Sequence, residues 1–94
     1  MGIHKIHLAS TVNQAECDRI HQKMIFHLEQ GEGVCVVAED VERIGAAGVQ
    51  ILLSAAKTFK QKDVPYTIES ASTELINTFN QLGCMKLVKD FEWI

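Results

Sequence analysis

Alternating strand-like and helix-like patterns across 94 residues predict an α/β domain. We expect a roughly four-stranded, mostly parallel sheet with three main helices packed mainly on one face. Two observations carry this. Val34-Cys35-Val36-Val37-Ala38 is apolar at every position, as a central strand covered on both faces must be. Three other stretches place apolar residues at helical spacing, and each is punctuated by a capping residue, a glycine or a basic end.

Taken in order, Ile3 to Ala9 reads as a strand. Ile6 and Leu8 share one of its faces with His4, while Ile3, Lys5 and His7 take the other. Asn13 is a cap, and Glu16 three residues later completes the pattern of a capping box. Cys17, Ile20, Met24 and Leu28 form the stripe of the first helix, and Gly31 is placed to end it in the left-handed conformation. After the Val34–Ala38 strand, Glu39 to Ala46 reads as a loop. A second helix follows from Ala47 to Lys60, with Val49, Leu52, Leu53, Ala56 and Phe59 inward and a basic C-terminal end that complements the helix dipole. Val64 to Glu69 is the next strand. Ser72 caps a third helix whose stripe is Leu75, Ile76, Phe79 and Leu82, and Gly83 stops it. A last short strand is expected around Leu87-Val88. The direction of the Ile3–Ala9 strand is the one point of topology left open. The absence of a linker, repeat or low-complexity segment makes residues 1–94 a single domain.

Composition narrows the function. The formal net charge is −3, and Lys57, Lys60 and Lys62 form the densest basic cluster, so nucleic acid is not an expected partner. The longest apolar runs are far shorter than the roughly 20 residues that span a bilayer. The N-terminal segment has no secretory apolar core, and Ile6 stands where a myristoylation motif needs Ser or Thr. A cytoplasmic protein without membrane insertion is the expectation. Cys17, Cys35 and Cys84 are odd in number with no CxxC pair, which favours reduced, mostly buried thiols over a disulfide framework.

Catalytic and metal chemistry find little support. Zinc needs three or four convergent ligands. Cys17 and His21 share a helix face, but His4 and His7 point to opposite faces of a strand. Cys35 lies in the most apolar strand, where burial keeps a thiol inert. Neither GxxxxGK[ST] nor GxGxxG occurs. No cofactor, no metal and no enzymatic activity are expected. Phe91-Glu92-Trp93-Ile94 brings large apolar groups together, with core packing favoured over a binding surface.

The segment Val41-Glu42-Arg43-Ile44-Gly45-Ala46-Ala47-Gly48-Val49-Gln50-Ile51-Leu52-Leu53 resembles the signature of STAS domains, the anti-sigma-factor-antagonist fold. In that family an apolar strand ending Asp-Leu-Ser leads to Val-x-x-Ile-Asp-Ser-Ser-Gly-Leu and an apolar helix. Pro65 to Glu69 with Ser72, and Gln81-Leu82-Gly83, resemble the family's next strand and third helix, so the likeness covers nearly the whole chain. The small stand-alone members of chemotaxis clusters and of lipid-asymmetry transporters are the nearest in character.

The resemblance implies a fold that works by docking onto proteins: histidine-kinase-like signalling proteins, anti-sigma-like ATPases or a transporter ATPase. It also places the family's phosphorylated hydroxyl at Ala46 or Ala47, neither of which has an oxygen to accept a phosphoryl group. Gly45 replaces the loop Asp, and Val37 replaces the Asp that ends the strand. A phosphoserine at a helix start adds nearly two negative charges, and alanine cannot be switched that way. We therefore expect a non-catalytic regulator or adaptor without the usual serine switch. Its partner-binding residues would be Glu42, Arg43, Gly45, Ala46, Ala47, Gly48 and Gln50. The small residues admit a partner's backbone, and the charged pair complements its rim. The alternative is a small structural subunit of an ABC-type lipid transporter complex. An apolar helix face also leaves room for a homodimer.

Overall fold

The computed structural model describes residues 2–83 and the backbone of Glu92 and Trp93. The chain runs β1 (Ile3–His7), β2 (Thr11–Val12), α1 (Gln14–Glu29), β3 (Gly33–Val37), β4 (Arg43–Ile44), α2 (Ala46–Gln61), β5 (Tyr66–Glu69), α3 (Thr73–Gln81) and β6 (Glu92–Trp93). The main sheet has four strands in the order β1-β3-β5-β6, and every pairing is parallel. The direction of β1 is thereby settled: Ile3 lies opposite Gly33 and His7 opposite Val37. Each new strand joins the edge left by the one before. Right-handed crossovers then place all three helices on one face.

That face carries the core. Ile6, Leu8, Val34, Val36, Ala38, Tyr66 and Ile68 from the sheet meet Cys17, Ile20 and Met24 of α1, Val49, Leu52, Ala56 and Phe59 of α2, and Leu75 and Phe79 of α3 in one cluster. Burying a side chain the size of Phe59 or Phe79 is worth about 3 kcal/mol. The one polar atom of Tyr66 is satisfied there, its hydroxyl donating to the Leu52 carbonyl at 3.0 Å. Burial raises that phenol far above its ordinary range.

β3 is buried at every position, as its apolar run requires. On its helix-free side Cys35 and Val37 are flanked by Lys5 and His7 of β1 and by Thr67 and Glu69 of β5. The Lys5 ammonium reaches over this strand to Glu69 Oε2 at 3.3 Å, so long polar side chains contribute to the cover.

Four expectations need correction. The first strand ends at His7, not Ala9, because the Ala9 N–H turns aside to a side chain of α1. Residues Glu39 to Ala46 do not form only a loop, since Arg43–Ile44 pairs in parallel with Thr11–Val12 as a second, two-stranded sheet. The inward stripe of α3 is narrower than expected: Ile76 and Leu82 are exposed, and Thr78 is buried in the stripe with its hydroxyl donating to the Glu74 carbonyl at 2.8 Å. Leu53, expected inward on α2, is only half-buried. The strand expected at Leu87-Val88 lies outside the described residues; the fourth strand is Glu92–Trp93.

Helix ends follow their sequence signals. Asn13 Oδ1 accepts from the Glu16 N–H at 3.0 Å, and Ser72 Oγ accepts from the Leu75 N–H at 3.1 Å. At the end of α1, Gly31 has φ +71°. The Glu32 N–H donates to the His27 carbonyl at 2.9 Å and the Gly31 N–H to Leu28 at 3.0 Å, which together make a Schellman motif. The end of α2 repeats that motif with Asp63 at φ 59° in the glycine position, and Val64 bonding back to Phe59 at 2.9 Å.

Candidate functional site

The loop between β3 and α2 is held from both sides. Val41 is buried and anchors it. The Ser10 carbonyl accepts from the Glu42 N–H at 2.8 Å and from the Arg43 N–H at 2.9 Å, and β4 pairs with β2 immediately afterwards. Two-residue strands show no readable periodicity, so nothing in the residue pattern signals this ribbon. It places exposed Ser10 and Thr11 beside the loop, two neighbours that sequence reasoning did not assign to the site.

Gly45 caps α2 in extended backbone, φ −102° and ψ −175°, with no side-chain hydrogen bond to the helix, and the first turn has no acidic residue. The N–H groups of a first turn have no partner within their own helix. Here neither a cap side chain nor a carboxylate of that turn answers them, so the positive end of the α2 dipole faces outward.

Glu42, Arg43, Gly45, Ala46, Ala47 and Gln50 are all exposed. Ala46, Ala47 and Gln50 lie at helical neighbour spacing, so the loop and the first turn make one continuous surface. Gly48, also expected to meet a partner, is buried. A Cβ there would stand 2.7 Å from Ile44 Cγ1 and 3.1 Å from Val12 Cγ1. Its role in this structure is to let the helix start close down on the β2–β4 ribbon. Neither Ala46 nor Ala47 offers a hydroxyl at the exposed turn.

Beside this surface, α1 and α2 border a shallow groove lined by His21, Met24, Ile25, Ile51, Ser54 and Ala55 among others. Ile25, one of the lining residues, is 41% exposed.

The first turn of α1 is closed where that of α2 is open. The Glu16 carboxylate accepts from the Ala9 N–H at 2.7 Å and from Arg19 Nε and Nη2, both at 2.7 Å. Arg19 in turn donates to the His7 carbonyl at 2.8 Å. Asn13 therefore caps as expected, but the reciprocal half of the capping box is diverted to Ala9, in the segment that follows β1. The Arg19 guanidinium is the main cause that holds the Glu16 carboxyl below its ordinary range, against the opposing effect of burial.

Of the cysteines and histidines weighed from sequence, Cys17 and Cys35 are buried free thiols, and burial pushes the Cys17 thiol up. Cys84 lies outside the described residues. His4 and His7 point to opposite faces of β1, one half-buried and the other exposed. His4 instead meets His27. The two rings stack with centroids 4.2 Å apart and planes 17° from parallel. Glu32 joins them, with Oε2 at 2.9 Å from His4 Nε2 and Oε1 at 3.1 Å from His27 Nδ1. The two imidazoles hold the Glu32 carboxyl below its ordinary range. The signal that could have paired two of the three was the Schellman ending at Gly31, which sets residue 32 beside residue 27.

No curated protein matches the chain. The family model described as Mlab, STAS domain matches residues 3–89. Element order and the parallel sheet with one helical face agree with that match, and the chain belongs to the STAS domain family.

Proposed function

We propose that this protein is a non-catalytic adaptor that docks onto a protein partner through residues 41–48 and the adjoining helices. STAS domains are in general binding and regulatory modules. The partner class that fits is a signalling kinase of the histidine-kinase type, as in chemotaxis, or an anti-sigma-like ATPase. A cytoplasmic setting goes with that reading, and no helix among the described residues is long and apolar enough to cross a membrane. One observation supports the reading above the rest: the α2 entrance is exposed, uncapped by any side chain and free of acid, while the resemblance puts the family's phosphoacceptor at Ala46 or Ala47. Docking here would therefore be constitutive with respect to serine phosphorylation.

The test is affinity capture of the tagged protein from its native cells, read by mass spectrometry, beside Ala47→Asp and a remote variant, Asn77→Asp on α3. We expect Ala47→Asp to weaken the captured complex by about 1–3 kcal/mol, because a carboxylate is buried without a partner and fit is lost. An acid in the first turn favours the helix itself, so loss of capture would not reflect unfolding. Equal capture by Ala47→Asp and the wild type would refute docking at this loop.

A second reading, a small structural subunit of an ABC-type lipid transporter, is favoured by the Mlab description of the matching family. An ABC-type ATPase among the captured proteins, in fixed stoichiometry, selects it over the signalling reading.

A further inference from the structure

We propose that His4, His27 and Glu32 form a binding site for a divalent transition-metal ion of the zinc class. The three come from separate places: the outer end of β1, the last turn of α1, and the turn that enters β3. Each offers one ligand atom, and these atoms all lie within 4.8 Å of one another. Bonds of about 2.0–2.1 Å around a tetrahedral ion put neighbouring ligand atoms roughly 3.4 Å apart. The carboxylate already meets both imidazoles, through Oε2 to His4 Nε2 at 2.9 Å and through Oε1 to His27 Nδ1 at 3.1 Å, and these hydrogen bonds give way to metal bonds when the ion enters.

The arrangement is held before any ion arrives. The Schellman turn fixes Glu32 against the last turn of α1 through its N–H bond to the His27 carbonyl. Parallel pairing of β1 with β3 fixes His4 beside Val34, two residues beyond Glu32. Stacking brings both rings to the same carboxylate, and a tilt of one ring out of the stack turns both in-plane lone pairs toward a shared ion. Such preorganisation lowers the ordering cost of binding.

The donor set selects the ion. Two imidazoles with one carboxylate suit zinc, cobalt, nickel or copper, whereas calcium and magnesium take oxygen ligands. Side-chain exposures of 43% for His4, 17% for His27 and 29% for Glu32 leave an open side, where water completes the coordination. Binding is a change of tautomer: each neutral imidazole moves its proton, by way of solvent, from the nitrogen that faces the carboxylate to its other ring nitrogen, and the freed lone pair goes to the metal. A bound ion would clamp β1 to the end of α1, on the opposite end of that helix from its Asn13 cap.

The experiment uses chelator-stripped protein titrated with Zn2+, read by melting temperature, and with Co2+, read by visible absorption. The variants are His27→Ala, His4→Gln and Glu32→Gln, with His21→Ala, an exposed histidine of the same helix, as control. We expect Zn2+ to raise the melting temperature of the wild type and of His21→Ala, as any ligand selective for the native state does. Co2+ should give the intense visible bands of a low-coordinate site. Each ligand variant should weaken binding by at least the roughly 10–100-fold that outer-shell changes alone produce. His4→Gln and Glu32→Gln change half-buried groups outside the hydrophobic core, so they keep the test valid if His27→Ala does not fold. No melting shift in the wild type would overturn the proposal. So would a shift that His4→Gln and Glu32→Gln leave unchanged.

Discussion

The two long helices on this sheet begin in opposite ways. α1 closes its own N-terminus: Asn13 supplies an oxygen to the Glu16 N–H, and the Glu16 carboxylate adds negative charge to the first turn while stitching it to Ala9. α2 leaves its N-terminus open, with a glycine cap and no acid. Both helices have 16 residues and both bury an apolar stripe, so length and packing do not account for the difference. The comparison teaches that packing does not by itself dictate how a helix starts: α1 and α3 have side-chain caps and α2 has none, and the proposed docking rests on that difference.

Removing the closure of α1 has the largest expected effect. Glu16→Ala strips a buried carboxylate from three donors, and hydrogen bonds to a charged group are worth about 1.5–3 kcal/mol each. Allowing for partial exposure of Arg19 and for water that replaces it, we expect a loss of about 2–3 kcal/mol in urea unfolding. The same group gives a pH signature. Its native pKa lies below the ordinary 4.5, so the unfolded chain binds its proton first as the pH falls. The contribution of Glu16 is complete above pH 4.5 and is lost as the pH drops through the lower native value. The stability gap between the wild type and Glu16→Gln should shrink over that window. A gap that stayed constant down to pH 2 would show that the carboxylate charge plays no part.

Next in size is Gly48→Ala. In an open helix this change would gain about 1 kcal/mol. Here the added carbon meets Ile44 Cγ1 at 2.7 Å, and overpacking of this kind costs about 1–3 kcal/mol. We expect a net loss of roughly 1 kcal/mol by chemical denaturation. A net gain would show that the α2 entrance rests loosely on the ribbon. The smallest effect tests the open cap itself. Gly45 has free space at the Cβ position, so Gly45→Asp should stabilise the fold by about 0.5 kcal/mol through capping and the dipole. It should also weaken partner capture. Stabilisation with undiminished capture would break the link between the open cap and binding.

Much of this was legible from residue types. Asn13, Gly31 and Ser72 mark helix boundaries because their chemistry acts within a few residues. The apolar run at Val34–Val37 announces a central strand for the same local reason. The candidate surface was legible only through a motif, since six of its seven residues, all but Gly48, are exposed and leave no periodic trace. What escaped was non-local. The β2–β4 ribbon is two residues deep, too short for alternation to appear. The bond from Ala9 to Glu16 and the meeting of His4 with His27 both depend on where β1 lies against α1, which spacing along the chain does not encode. Ile76 and Leu82 fit an apolar stripe at helical spacing yet are exposed; Thr78 takes an inward position because its hydroxyl finds a carbonyl within its own helix.

The order of the sheet, β1-β3-β5-β6, has a consequence for how the chain is made. Every strand settles beside its immediate predecessor in the sheet, so no late segment must wedge between two already joined. A nascent polypeptide emerging from the ribosome is free to complete β1-α1-β3 while its later residues are still being synthesised, and each following unit finds its template waiting. Folding in step with translation suits a parallel sheet, whose crossovers otherwise make for slow, aggregation-exposed assembly.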